Sequence, residues 1–164
     1  MKSKTAGAAY KTARGNLLAM LVLTAVNTLL ALTGSDRYYL FTDFAAYIWA
    51  VFARGFYDFT GEAKWLVLGA AGAVLVMAVY FLCWLLSKKR RGWLTAALVL
   101  FIVDTVALVV IAFALYDSPM GQLVDFLLHI WAIVELVLAV RGSRKLKELP
   151  PTEEPRDICT GPEL

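Results

Sequence analysis

A few polar side chains lie inside otherwise apolar stretches of this chain, and they are its candidates for chemistry. Asp125 and His129 are four residues apart, so a helix stacks them on one face. A carboxylate one turn above an imidazole would hold the ring's tautomer and raise its basicity. Gln122 shares that face at its outer end, Asp104 sits at the middle of another apolar run, and Asn27 lies in a third. Facing one seam, these groups would make a buried polar site. Glu135 lies roughly 120° around the helix from His129, with Asn16, Arg14 or a partner protein as its expected mate.

Such a cluster supports three readings. The first is a hydrogen-bonded packing network, with Asp104 protonated or paired to His129. The second is a proton or cation pathway, a common use of acids and histidines inside membranes. The third is a catalytic or metal site. Several chemistries lack their parts. One histidine cannot ligate a haem from both sides, and neither G-x-S-x-G nor H-E-x-x-H is present. Signal peptidase II shares a four-span plan with two outer aspartates. Its N-x-A-D and G-N-x-x-D-R motifs are missing, and Asp104 lies too deep. Small multidrug transporters carry a glutamate in their first span, where this chain has Asn27. No catalytic residue, metal ligand or cofactor is therefore expected.

The elements that position these residues follow from hydropathy. The chain has 164 residues, 60% of them hydrophobic, and its mean hydropathy is +0.68. Ordinary soluble domains are roughly 45–50% apolar. The excess collects in four runs, about 16–34, 64–87, 93–116 and 119–140, each long enough to cross ~30 Å of hydrocarbon. A soluble chain this short could not bury four such helices. The first run is longer than a signal-peptide core and lacks a good cleavage site, so it is expected to remain as an anchor.

Charge sets the orientation. Basic residues number 4 before the first run, 3 in the next loop, then 4, 0 and 5. That alternation puts both termini in the cytoplasm by the positive-inside rule, and the +3 net charge is no nucleic-acid signal. The expected partners are the lipid bilayer and a homo-oligomer or larger membrane complex. The expected location is the cell membrane. Residues 1–15 read as a basic leader, frayed or lying on the surface, and 141–164 as a disordered tail. Cys83 reads as a small buried hydrophobe, and neither it nor Cys159 has a C-x-x-C partner.

Segment 35–63 is too polar at its edges to span, yet ten residues between Tyr38 and Phe59 are aromatic. Aromatic rings favour the headgroup region. A helix over 42–54 sets Asp43, Tyr47, Ala50 and Arg54 on one narrow stripe, which predicts an interfacial helix lying on or dipping into the outer leaflet. Tyr47, Trp49 and Phe52, with Trp65 and Trp93, are the expected interfacial anchors. Gly69 and Ala73 allow close backbone approach, within the chain or between copies. A turn at 117–121 is expected to join the last two spans, with Ser118 or Asp117 capping and Pro119 in the first helical position.

The stretch Ala13-Arg14-Gly15-Asn16-Leu17-Leu18 is followed by Ala25-Val26-Asn27-Thr28-Leu29-Leu30. Next comes Leu32-Thr33-Gly34-Ser35-Asp36-Arg37-Tyr38-Tyr39-Leu40-Phe41. Together they resemble the front end of a group of small, uncharacterised bacterial four-span membrane proteins. The match covers about the first 45 residues. It implies no activity, but it marks Asn16, Asn27 and the turn from Thr33 to Phe41 as signature positions. The expected whole is an all-α, four-helix transmembrane bundle with an aromatic-rich interfacial helix on the outer face between spans 1 and 2. Its expected function is that of a non-enzymatic accessory or scaffold protein. The alternative is a proton- or cation-coupled transporter or channel subunit using Asp104, Asp125 and His129, with an intramembrane enzyme third.

Overall fold

Apolar runs of this length satisfy their backbone in lipid by coiling into helices, and the computed structural model has them. It describes residues 3–39, 42–90, 92–115 and 123–148. Gln122, the 117–121 turn and residues 149–164 with Cys159 lie outside the described residues, while residues 141–148, expected in the disordered tail, are helical. The order is α1 (Ser3–Thr33), α2 (Phe44–Thr60), α3 (Lys64–Leu86), α4 (Gly92–Leu115) and α5 (Leu123–Glu148). Four stretches are long and apolar enough to cross a membrane: Gly7–Thr33, Lys64–Leu86, Gly92–Ala114 and Leu123–Ser143.

The distribution of residues is that of a bundle in lipid. Leu29, Val67, Leu75, Val103, Val110, Phe113 and Leu127 point outward, while Thr24, Asn27, Asp43, Asp104, Asp125 and His129 are buried. Water would reverse that order; hydrocarbon outside and hydrogen-bond partners inside produce it. This is an all-helical, multi-pass transmembrane bundle.

The basic leader is not a separate frayed piece, because α1 runs unbroken from Ser3 to Thr33. Its N-terminal half is tied to the end of α3. The Tyr10 hydroxyl donates to the Ser87 carbonyl (2.7 Å), and Arg14 Nε donates to Ser87 Oγ (2.8 Å). The Arg14 guanidinium also lies 5.5 Å from the centre of the Trp84 ring. A cation at a helix C-terminus meets unsatisfied carbonyls and the negative end of the dipole, which accounts for the choice of partner. Arg14 therefore serves α3, not Glu135.

Helix α2 begins two residues later than expected and runs six residues further. The Asp43 side chain caps it by accepting from the Ala45 N–H (3.1 Å), and Gly61 at φ 73° ends it with its N–H on the Tyr57 carbonyl. Only an αL residue closes the turn this way, hence the glycine. The stripe of Asp43 and Ala50 faces protein and is fully buried, while Trp49, Phe52 and Phe56 face outward.

Against α3, Ala53 presses on Gly69, and the Trp49 indole covers Gly72 while donating to the Leu68 carbonyl (3.2 Å). The close approach permitted by Gly69 and Ala73 is thus made within the chain. Two apolar clusters result. One gathers α1, α3, α4 and α5 around Leu17, Met20, Tyr80 and Phe101; the other joins Phe44 and Ile48 of α2 to Leu108 of α4.

Candidate functional site

Between those clusters lies the polar group built on Asp104. At 1.5 Å per residue it sits about 18 Å along α4 from Gly92, near the middle of the span. The first N–H groups of α2 have no partner within their own helix. Asp104 supplies it: Oδ2 accepts from Phe44 N (2.9 Å) and Oδ1 from Ala45 N (2.7 Å). The carboxylate thus sits on the positive end of the α2 dipole. The start of α2 is consequently inserted into the bundle, while its far end returns to Gly61.

His129 approaches the same carboxylate from α5. Its Nε2 lies 3.4 Å from Asp104 Oδ2, within ion-pair reach but without the alignment of a hydrogen bond. Its ring stacks on Phe101 at 4.9 Å between centroids and 8° between planes. Its Nδ1 is 2.9 Å from the backbone carbonyl of Asp125. This corrects the expectation that the Asp125 carboxylate would orient the imidazole. That carboxylate turns the other way and accepts from the Tyr38 hydroxyl, which in turn meets Thr42 Oγ1 at 3.0 Å. Side chains stacked at i and i+4 share a face, yet the backbone carbonyl at i is nearer the ring.

The Asn27 amide clamps the backbone of the loop that enters α2, donating to the Tyr39 carbonyl (2.5 Å) and accepting from the Tyr39 N–H (2.9 Å). Thr24 does similar service one turn below. It accepts from Asp43 N (2.8 Å) while its own hydroxyl donates to the Met20 carbonyl (2.8 Å).

Asp104 and His129 therefore meet, while Asp125 and Asn27 bond the segment that leads into α2. Glu135 does not join them. It lines a separate cavity of about 10 Å³ with Asn16, Met20, Phe101 and Ala132, where the buried Asn16 amide nitrogen has no partner among the described residues.

Sequence reasoning missed Asp43, Tyr38, Thr24 and Thr42. An aspartate just before an apolar helical run is an N-cap signal and was available at Asp43. Nothing local marked Tyr38 or Thr24. Burial, with the Asp104 charge beside it, pushes the Asp43 carboxyl well above its ordinary value. Burial and the bond to Asp125 likewise raise the Tyr38 phenol.

Of the expected anchors, Trp49, Phe52 and Trp65 line an apolar cavity of about 360 Å³ between α2 and α3. Trp93 is partly exposed at the start of α4. Tyr47 is half-buried and packs against Tyr38, with ring centroids 4.8 Å apart and planes tilted by 51°, so it braces the loop.

The fold and site define a small multi-pass helical membrane protein with a helix inserted into its bundle. No family model matches the chain, and no curated protein or solved structure matches it significantly.

Proposed function

We propose that this chain is a non-enzymatic accessory or scaffold protein of the cell membrane, with both termini cytoplasmic. The observation that carries the reading is the use of Asp104. Both its oxygens are engaged by backbone N–H groups at the start of α2. Asn27 and Thr24 likewise bond the backbone of the segment entering α2. Groups spent on holding a helix in place are suited to giving the outer face a defined shape for another membrane protein to meet. The alternation of basic residues supports the orientation. The resemblance of the N-terminal region to small bacterial four-span proteins is in keeping with this reading and brings no activity with it.

A second reading, a proton- or cation-coupled transporter or channel subunit using Asp104, Asp125 and His129, has one observation in its favour. His129 Nε2 and Asp43 Oδ2 are buried without a hydrogen-bond partner among the described residues. One comparison separates the two. Purified wild type and Asp104→Asn are reconstituted in liposomes carrying an internal pH dye or a cation dye. The accessory reading expects the same background leak from both. Flux that is present in wild type and absent from a folded Asp104→Asn protein overturns it in favour of transport. Reporter fusions after Lys89 and after Leu115 test the orientation, which requires opposite sides.

A further inference from the structure

Three titratable groups meet at the buried start of α2, and the geometry leaves no room for all of them in their ordinary states. Asp43 Oδ1 and Asp104 Oδ1 accept the same N–H, that of Ala45, at 3.1 and 2.7 Å. Two carboxylates sharing one donor out of contact with water cannot both be ionised. Asp43 Oδ2 is the oxygen that has no donor among the described residues, and the residue is wholly buried. A proton on that oxygen converts it from an unsatisfied acceptor into a donor, with the Asp104 carboxyl as its acidic neighbour across the shared N–H.

The second contact obeys the same logic. A backbone carbonyl only accepts, so the 2.9 Å contact to Asp125 O puts a hydrogen on His129 Nδ1. A neutral ring would then aim the bare lone pair of Nε2 at an Asp104 oxygen 3.4 Å away, lone pair against lone pair. Both Asp104 oxygens already accept from amides. The hydrogen between them therefore belongs on Nε2, which makes the ring an imidazolium.

We propose that Asp43, Asp104 and His129 form a buried proton-binding site holding two protons, one in the Asp43–Asp104 contact and one in the Asp104–His129 contact. Two carboxylates and an imidazolium with one carboxyl proton sum to zero, so the triad is electrically neutral where a net charge is costly. Polar groups from each packed element surround it. From α1 come neutral Asn27 and Thr24. Tyr80 and Cys83, both buried, come from α3. The loop contributes Tyr38, and α5 contributes Asp125, whose carboxyl is turned toward the Tyr38 hydroxyl. The burial that raises the Asp43 carboxyl acts in the same direction. This site does not depend on the accessory reading, since a scaffold and a proton carrier could both contain it.

The chain has one histidine, so the site reports on itself. Full-length protein with ¹⁵N-labelled histidine, its affinity tag removed, is placed in lipid nanodiscs for NMR, and infrared spectra are taken of the same sample. At pH 8, well above the histidine reference value of ~6.5, both ring nitrogens are expected to carry protons. A carboxylic-acid carbonyl band is expected beside them. Asp43→Asn, whose amide can stand in for the protonated carboxyl, should remove the band and keep the imidazolium. Asp125→Asn should keep both. A neutral imidazole in wild type at pH 8, or a band that survives Asp43→Asn, overturns the proposal. Should Asp43→Asn not fold, the wild-type signals decide: imidazolium with the acid band upholds the site, and the absence of either overturns it.

Discussion

Asp104 Oδ1 lies 2.7 Å from the amide nitrogen of Ala45, joining the middle of one membrane helix to the first turn of another. A helix that starts inside a bundle exposes orphan N–H groups where no water can satisfy them. This one contact, with its twin at Phe44, makes the position of α2 tolerable.

Removing it should be costly. Asp104→Leu leaves two buried amides and His129 without their acceptor, and an unmade buried hydrogen bond costs about 1–3 kcal/mol each. A loss of about 3–5 kcal/mol in unfolding free energy is expected in detergent, with Asp104→Asn losing less because its carbonyl still accepts one amide. An unchanged melting temperature for the leucine variant would mean α2 is held by packing alone.

Stability should fall as the pH rises, and Asp43 should be a cause. Its folded value lies above the 3.8 of an unperturbed carboxyl, so between the two values the folded chain holds a proton that the unfolded chain has released. The slope of stability with pH is negative there: the contribution is full below about pH 3.8 and lost as pH climbs through the raised value. Asp43→Asn, unable to ionise, should flatten the alkaline part of the melting-temperature profile. Parallel profiles would reject the assignment.

Gly69 and Gly72 should differ in tolerance. A Cβ on Gly69 would overlap the Cβ of Ala53, which moves only with its backbone, whereas one on Gly72 meets the Trp49 ring, which can swing toward lipid. Gly69→Ala is expected to destabilise by about 1–3 kcal/mol, the cost of overpacking, and Gly72→Ala by less. Pairing Gly69→Ala with Ala53→Gly should restore most of the loss. Failure of that rescue in thermal melts would place the strain elsewhere.

Asn27→Ala should release the loop before α2. The Tyr39 amide loses its acceptor and its carbonyl loses a donor. Faster hydrogen exchange at Tyr39 is expected, while residues 94–101 of α4 keep their protection. Asn27→Asp should be intermediate, because a carboxylate keeps the acceptor but faces the Tyr39 carbonyl with a charge. Equal exchange in all three proteins would show the clamp to be dispensable.

Much of this was written along the chain. Apolar runs longer than a bilayer's hydrocarbon core declare themselves without a fold, since the signal is a sum over neighbours in sequence. An aspartate or histidine inside such a run is likewise conspicuous, because a lone charge there requires a partner. Asp104, Asp125, His129 and Asn27 could be picked out on that basis, as could the aromatic helix between the first two spans.

Which partner each residue takes was decided only in three dimensions. Asp104 reaches amides across 59 residues of chain, and Asn27 holds a loop whose descent no periodicity announces. Asp43 read as one edge of a surface stripe until the insertion of α2 buried it. Hydropathy measures how much each segment prefers lipid, a local quantity. Hydrogen-bond pairing depends on which segments meet, and that is settled by the packing of α2 against α1, α3 and α4 as a whole.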